Sequence, residues 1–367
     1  MHRDGHPAVM SISNPPPPLL PLLPAVTHSR YHAREELRRA LDVDVAARVG
    51  PDAYLLPATP AGTWQRRREV SLARCVAACD RLGPDVVLSH VSAAILYGLW
   101  VPNAEWPVHT TQQFRAGSPR QVDEHVRHCR PLTADEVVET PAGLRITSLE
   151  RTIVDTITML SPDWALAVAD SAMRLVLGPT RSDKNGERDL LRREWSDVLE
   201  ERGPRRGRRH ARAVLAIADH RSESPLESRM RCAVARAGLP TPALQVEVVT
   251  HLGDRYVDLG WWLTSPDGTR RFVGFEVDGD VKYDEADSES ARNAVAAEKR
   301  REDAIRESIR SEGCEVTMLR SSDDIEHDVD RLARALDPSG RMTRIPNLDL
   351  LSTRAYSILK QQARSRP

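Results

Sequence analysis

The chain has 367 residues, 40% hydrophobic and 29% charged, with a formal net charge of −1. At roughly 100–200 residues per domain this predicts two or three domains, each able to bury a core. So balanced a charge predicts no partner by itself, and any basic surface has to be local. Only four of the 52 basic residues are lysine, at Lys184, Lys282, Lys299 and Lys360. The five cysteines are odd in number and form no CxxC pair, so they suggest neither a zinc ribbon nor a disulfide framework, and reduced thiols in a cytoplasmic protein are the simplest reading. Cys75 and Cys79 lie one helical turn apart; small buried residues on a helix face are the simpler reading than a shared metal.

In chain order, the prolines of "NPPPPLLPLLPAV" break the apolar run that a signal-peptide core or a membrane span needs. Residues 1–26 read as a disordered Pro-rich lead. Residues 27–60 predict a helix from about Ala33, a short second helical turn in "DVDVAARVG" and a strand at Ala53–Leu56, the order of a degenerate winged-helix unit. That segment lacks the Arg, Asn or Gln that reads base edges, and a structural cap is an equal reading.

Residues 61–215 predict a mixed α/β region. "VVLSHVSAAILYGLW" reads as a helix, and "GLRITSLERTIVDTI" as a strand passing into a helix capped by Thr147 with Glu150 at capping-box spacing. His90 beside Ser89 and Ser92 invites a nucleophile reading, against which stands a packed or capping histidine. Residues 201–212, "ERGPRRGRRHAR", concentrate arginines; Arg205, Arg206, Arg208 and Arg209 are either a solvated helix start or a linker that contacts phosphates.

Residues 222–336 predict αβββαβα. Ser224 is the N-cap, Pro225 the first helical residue and Glu227 the capping-box acid. Strands Leu244–Thr250, Tyr256–Trp262 and Arg271–Asp278 follow, then a helix over Ser288–Ser311, the strand "CEVTMLR" and a last helix. "TSPDGT" is a turn signal, so the second and third strands form an antiparallel hairpin. A turn centred near Asp267 sets Asp258 within one position of Glu276. Glu276 and Asp278 share a face by the period of two. Like charges opposite one another need either open water or a cation, and oxygen clusters of this kind hold Mg²⁺ or Mn²⁺. Asp280 belongs to the turn beyond the strand. Residues 337–367 form a tail with a short amphipathic stretch near Leu348–Leu359.

The αβββαβ order, Glu227, "YVDLGW" with Asp258 and "FEVDGD" with Glu276 resemble the PD-(D/E)XK nuclease superfamily, more narrowly its actinobacterial domain related to very-short-patch-repair endonucleases. Residues 27–215, through "LSHVSAAILYGL" and "ITSLERTIVD", resemble the region akin to type IV abortive-infection antitoxins. The resemblance implies metal-assisted hydrolysis of DNA, in which Asp258 and Glu276, with Asp278 beside them, hold Mg²⁺ or Mn²⁺ and Glu227 orients the attacking water. The superfamily's lysine two residues after the second acid is replaced here by Asp278, and Lys282 or Lys299 would have to substitute. The alternative is a non-catalytic DNA-binding antitoxin or regulator on a retired nuclease scaffold, with a toxin-like protein partner.

Overall fold

The computed structural model describes residues 23–59, 64–104, 106–112, 125–182, 186–203, 206–265, 267–277 and 288–351, and for Trp64 and residues 288–296 the backbone alone. Arg205, Asp278, Asp280, Lys282, most of the Pro-rich lead and the tail beyond Leu351 lie outside the described residues. The fold is α+β, in two compact units divided between Thr156 and Ile157.

The first unit opens with β1 (Val26–His28), α1 (Arg34–Asp42), β2 (Ala47–Arg48) and β3 (Ala53–Leu55). The strands form an antiparallel sheet in the order β1-β3-β2. The second helical turn expected in "DVDVAARVG" is absent: Ala47 and Arg48 pair with Leu55 and Tyr54 as β2. Val43 to Val45 form the turn that ends α1, with Asp44 at φ 59°, and Arg66 ties the following residues down by donating to Ala46 O at 3.0 Å. The winged-helix reading therefore loses its recognition helix. Val70, Ala73 and Ala77 of α2 (Trp64–Leu82) pack on Val49, Ala53 and Leu55. Burial pushes the thiols of Cys75 and Cys79 up to about 12, which leaves them inert packing groups.

A five-stranded sheet follows, built from β4 (Val87–Leu88), β5 (Val108–Gln112), β6 (His125–Cys129), β7 (Val137–Glu139) and β8 (Arg145–Thr147) in the order β6-β5-β4-β8-β7. The stretch expected to be wholly helical thus begins as β4 and turns at Ser89 into α3 (His90–Leu96). Helix α4 (Leu149–Met159) is capped by Ser148, whose Oγ accepts the Arg151 N–H at 3.3 Å. Thr147 instead bonds the Thr152 hydroxyl at 2.7 Å, so the expected Thr147 cap moves by one residue.

The second unit contains α5 (Pro162–Leu177), α6 (Glu187–Glu201), α7 (Arg208–Ile217) and α8 (Pro225–Arg236). Arg231 of α8 donates to Asp170 of α5 at 2.6 Å inside the core, so α5 belongs with the C-terminal elements rather than with the elements of the first unit. The expected αβββαβα order then holds through β9 (Ala243–Thr250), β10 (Gly253–Thr264), β11 (Arg270–Glu276), α9 (Ser288–Ser311), β12 (Cys314–Arg320) and α10 (Ile325–Leu336). The sheet runs β12-β11-β10-β9, antiparallel except for the β11–β12 pair. One face carries α8 and α10, packed through Met230, Leu259, Trp261, Phe275 and Leu332; the other carries α9, packed through Val257, Phe272, Ile305 and Ile309.

Gly260 and Gly274 face each other across the hairpin, and the Phe272 ring lies over both. A Cβ on Gly260 would come within 2.7 Å of Val246 Cγ2 and 2.9 Å of that ring. Gly260→Ala is therefore expected to lower the unfolding free energy by about 1–3 kcal/mol, the usual cost of overpacking, read from urea midpoints. An unchanged midpoint would contradict the packing.

Candidate functional site

The hairpin register pairs Leu259 with Phe275 and Gly260 with Gly274, and its continuation by one residue sets Asp258 opposite Glu276, as the turn predicts. At this point the sheet departs from regular alternation. Val257 faces the α9 core and Leu259 the α8/α10 core, although residues two apart on a strand normally share a face. Across the ladder Val246 and Leu244 are split in the same way around Gln245. Gln245 takes the left-handed backbone conformation, φ 49°, uncommon for a residue with a side chain. This break turns the Asp258 carboxylate and the Gln245 amide towards the start of α8.

There Glu227 is fixed by its helix. Its N–H donates to Ser224 Oγ at 3.2 Å, and its Oε2 accepts the Glu223 N–H at 2.9 Å, a capping box closed one residue earlier than expected. The Gln245 amide donates to Glu227 Oε2 and to Asp258 Oδ1, each at 3.3 Å, and so links the two acids. Asp258 Oδ2 accepts the Val277 N–H at 2.8 Å, which holds the end of β11 against β10.

Glu276 is 4% exposed and less well compensated. Its Oε1 lies 3.5 Å from Arg301 Nη2 and its Oε2 3.6 Å from Arg320 Nη2, beyond ordinary hydrogen-bond length. Among the described residues its Oε1 has no hydrogen-bond partner. Both guanidinium groups are engaged elsewhere: Arg301 donates to Tyr256 O at 2.9 Å and Arg320 to Glu298 Oε1 at 2.9 Å. Lys299 is exposed on α9, where Glu298, Arg301, Glu302 and Arg306 form ion pairs.

Burial pushes the Glu227 carboxyl up to about 7, opposed by the Glu223 N–H and reinforced by Asp258. Burial also raises Glu276 to about 7 against the pull of Arg301 and Arg320, and raises Asp258 against its Val277 and Gln245 donors. Three acids that resist ionisation at one sheet end are a candidate functional site. Their hard oxygens suit Mg²⁺ or Mn²⁺. Among the described residues the three do not bring three oxygens within 4.8 Å of one another. One ion would thus take Asp258 and Glu276, the one or two carboxylates that Mg²⁺ commonly uses, with waters and phosphate completing its shell.

Other expected site residues are placed differently. Arg208 pairs with Glu200, as does Arg212 at 2.7 Å. Arg209 donates to Leu348 O at 2.6 Å and to Leu351 O at 3.0 Å, docking the segment at Leu348–Leu350. Gly207 sits against the Thr158 carbonyl with φ 85°. The arginine run is a docked helix start, and of the four arginines expected at phosphate only exposed Arg206 is described without such a bond. Ser89 is fully buried beside His90, which closes the nucleophile reading because no substrate reaches its hydroxyl. Sequence reasoning missed Gln245, Arg301 and Arg320; the last two carried no signal in an arginine-rich chain.

No family model matches the chain. Over 121 residues it is 34% identical to two proteins of Mycobacterium tuberculosis, Uncharacterized protein MT2308 (strain CDC 1551 / Oshkosh) and Uncharacterized protein Rv2248 (strain ATCC 25618 / H37Rv), a match covering 33% of this chain and 40% of each relative. The chain thus spans well under half the length of the curated relatives it matches. The crystal structure of the RV2827C protein from Mycobacterium tuberculosis aligns with a TM-score of 0.29 at 12% identity over 52% of this chain and 76% of that one, a likeness too low to bear on the fold.

A carboxyl whose folded pKa is raised keeps its proton in the folded state while the unfolded chain loses it, so stability falls as pH rises from the ordinary value of 4.5 towards about 7. Glu276→Gln is expected to be near neutral at about pH 5 and stabilising by about 1–3 kcal/mol at about pH 8, measured by urea unfolding at both. Equal effects at the two pH values would show that Glu276 is not destabilised by ionisation.

Proposed function

We propose that residues 222–336 hydrolyse phosphodiester bonds in DNA with the help of Mg²⁺ or Mn²⁺. The observation that carries this reading is the convergence of Glu227, Asp258 and Glu276 at the sheet end, where burial opposes the charge of all three. A divalent ion on Asp258 and Glu276 would acidify a bound water and neutralise charge growing on the phosphate. Glu227, near neutral pH in its affinity for a proton, can take one from the attacking water or return it to the leaving oxygen. Gln245 holds Glu227 and Asp258 at a fixed separation through its amide. Arg301 and Arg320 stand where a cation is needed but cannot act as bases, because guanidinium does not give up its proton at ordinary pH. Their contribution is positive charge beside Glu276 and the substrate phosphate.

A second reading is favoured by one feature of the sequence, Asp278 in place of the superfamily's lysine. On that reading the domain is a non-catalytic DNA-binding antitoxin or regulator, and its acids are relics stabilised by Gln245 and the two arginines. No helix of the described residues is long and apolar enough to cross a membrane, and neither reading requires one.

Cleavage assays on duplex and single-stranded DNA with Mg²⁺ or Mn²⁺ separate the two. Asp258→Asn and Glu276→Gln are each expected to lower cleavage by about 100-fold or more, the scale on which loss of transition-state charge stabilisation acts, with folding retained. Cleavage unaffected by either substitution would overturn the nuclease reading. Absence of cleavage in the unsubstituted protein, with salt-sensitive duplex binding that survives both substitutions, would favour the regulator.

A further inference from the structure

The first unit gathers three histidines that the nuclease reading does not use. His90 begins α3, His109 lies on β5 and His128 on β6. The His90 and His128 rings stack with centroids 3.6 Å apart and planes 14° apart, and His109 stacks on His128 at 5.2 Å. One nitrogen from each ring lies within 4.8 Å of the other two. His109 Nδ1 and His128 Nε2 share a hydrogen bond at 2.9 Å in the metal-free rings, a separation close to the roughly 3.3 Å between two nitrogens on one tetrahedral ion with bonds of about 2.0–2.1 Å, so an ion would replace that proton.

Packing alone does not account for this group. His109 is 4% exposed; its Nδ1 faces His128, while its Nε2 has no hydrogen-bond partner among the described residues and would gain none from an ion on Nδ1, a cost that an apolar residue on β5 would avoid. His90 adopts a left-handed backbone, φ 52°, which sets its ring over His128. The surroundings orient the rings as ligand-supporting contacts do. Ser89 Oγ bonds His90 Nδ1 at 3.0 Å and leaves Nε2 available, while the backbone N–H of His109 donates to Ser92 Oγ at 2.9 Å and ties β5, not the His109 ring itself, to α3.

We propose that His90, His109 and His128 form a site for one divalent transition ion of the Zn²⁺ type. Three imidazoles without an oxygen ligand suit Zn²⁺, Co²⁺ or Ni²⁺ and disfavour Mg²⁺. His128 is only half-buried, so water can reach the open fourth position of a three-histidine site. The site is independent of the acids on β10 and β11.

The test is titration of Co²⁺, followed by Zn²⁺ competition, into the chelator-stripped full chain, read from the visible ligand-field bands of Co²⁺. The expected result is one tightly bound equivalent, retained in the Asp258→Asn/Glu276→Gln variant and in Cys129→Ser, the latter because an exposed thiol adjoins His128. His128→Gln, at the half-buried position, is expected to weaken binding about tenfold or more with the unfolding midpoint of the metal-free protein unchanged. If that variant proves unstable, long-range proton–nitrogen NMR of the imidazoles in the unsubstituted chain replaces it, with the ring nitrogens of three histidines shifting on Zn²⁺ addition. No Co²⁺ band, equal affinity in a folded His128→Gln, loss of binding in Cys129→Ser, or imidazole nitrogens unmoved by Zn²⁺ would each overturn the proposal.

Discussion

The C-terminal unit depends on one local irregularity, the paired break in strand alternation at Gln245 and Asp258. A regular β9–β10 ladder would keep Val257 and Leu259 on one face and point Asp258 away from α8. The break divides those apolar side chains between the two cores, and it turns Asp258 and Gln245 towards Glu227. Its local cost is a left-handed Gln245 backbone, a conformation that persists only when its surroundings over-determine it. The bonds from the Gln245 amide and from Val277 N–H to Asp258 supply that restraint.

The rest of the sheet keeps this point rigid. Phe272 lies over the Gly260–Gly274 pair and against Trp262, with ring centroids 4.6 Å apart, so β10 and β11 approach each other without competing side chains. Core packing on both faces fixes the hairpin register, because a slip of one residue would carry the side chains of the slipped strand from the core against α8 and α10 to the core against α9. Asp258 and Glu276 are held at adjacent positions by apolar packing several residues away. Burial and mutual proximity then resist their ionisation, which favours a bound cation or proton over open charge.

What the sequence made legible was local or periodic. The Pro-Asp-Gly turn between two β-rich runs specified the hairpin and its register. Ser224, Pro225 and Glu227 marked the start of α8 within one residue. Long-range pairing was not legible. In so arginine-rich a chain Arg301 and Arg320 resembled their neighbours, and their closeness to Glu276 arises only when α9 and β12 fold over β11. Arg208 and Arg209 matched a phosphate-binding composition, yet Glu200 and the Leu348–Leu351 carbonyls engage them. The histidine group joins three separate elements, and spacing along the chain carried no trace of it. Pairing of Ala47 and Arg48 with β3 made β2 of a segment that its position in the order suggested was helical.

The claim that a divalent cation compensates the buried acids is tested most directly by calorimetric titration of Mn²⁺ in buffers of different ionisation enthalpy, between about pH 6 and about pH 8. Because Glu227 and Glu276 hold protons to about 7, binding is predicted to release protons at the lower pH and progressively fewer at the upper, with the effect lost in Asp258→Asn/Glu276→Gln. Absence of binding across that range, also with a non-cleavable duplex supplying the phosphate, would contradict the account and leave Arg301 and Arg320 as the only compensation that Glu276 has among the described residues.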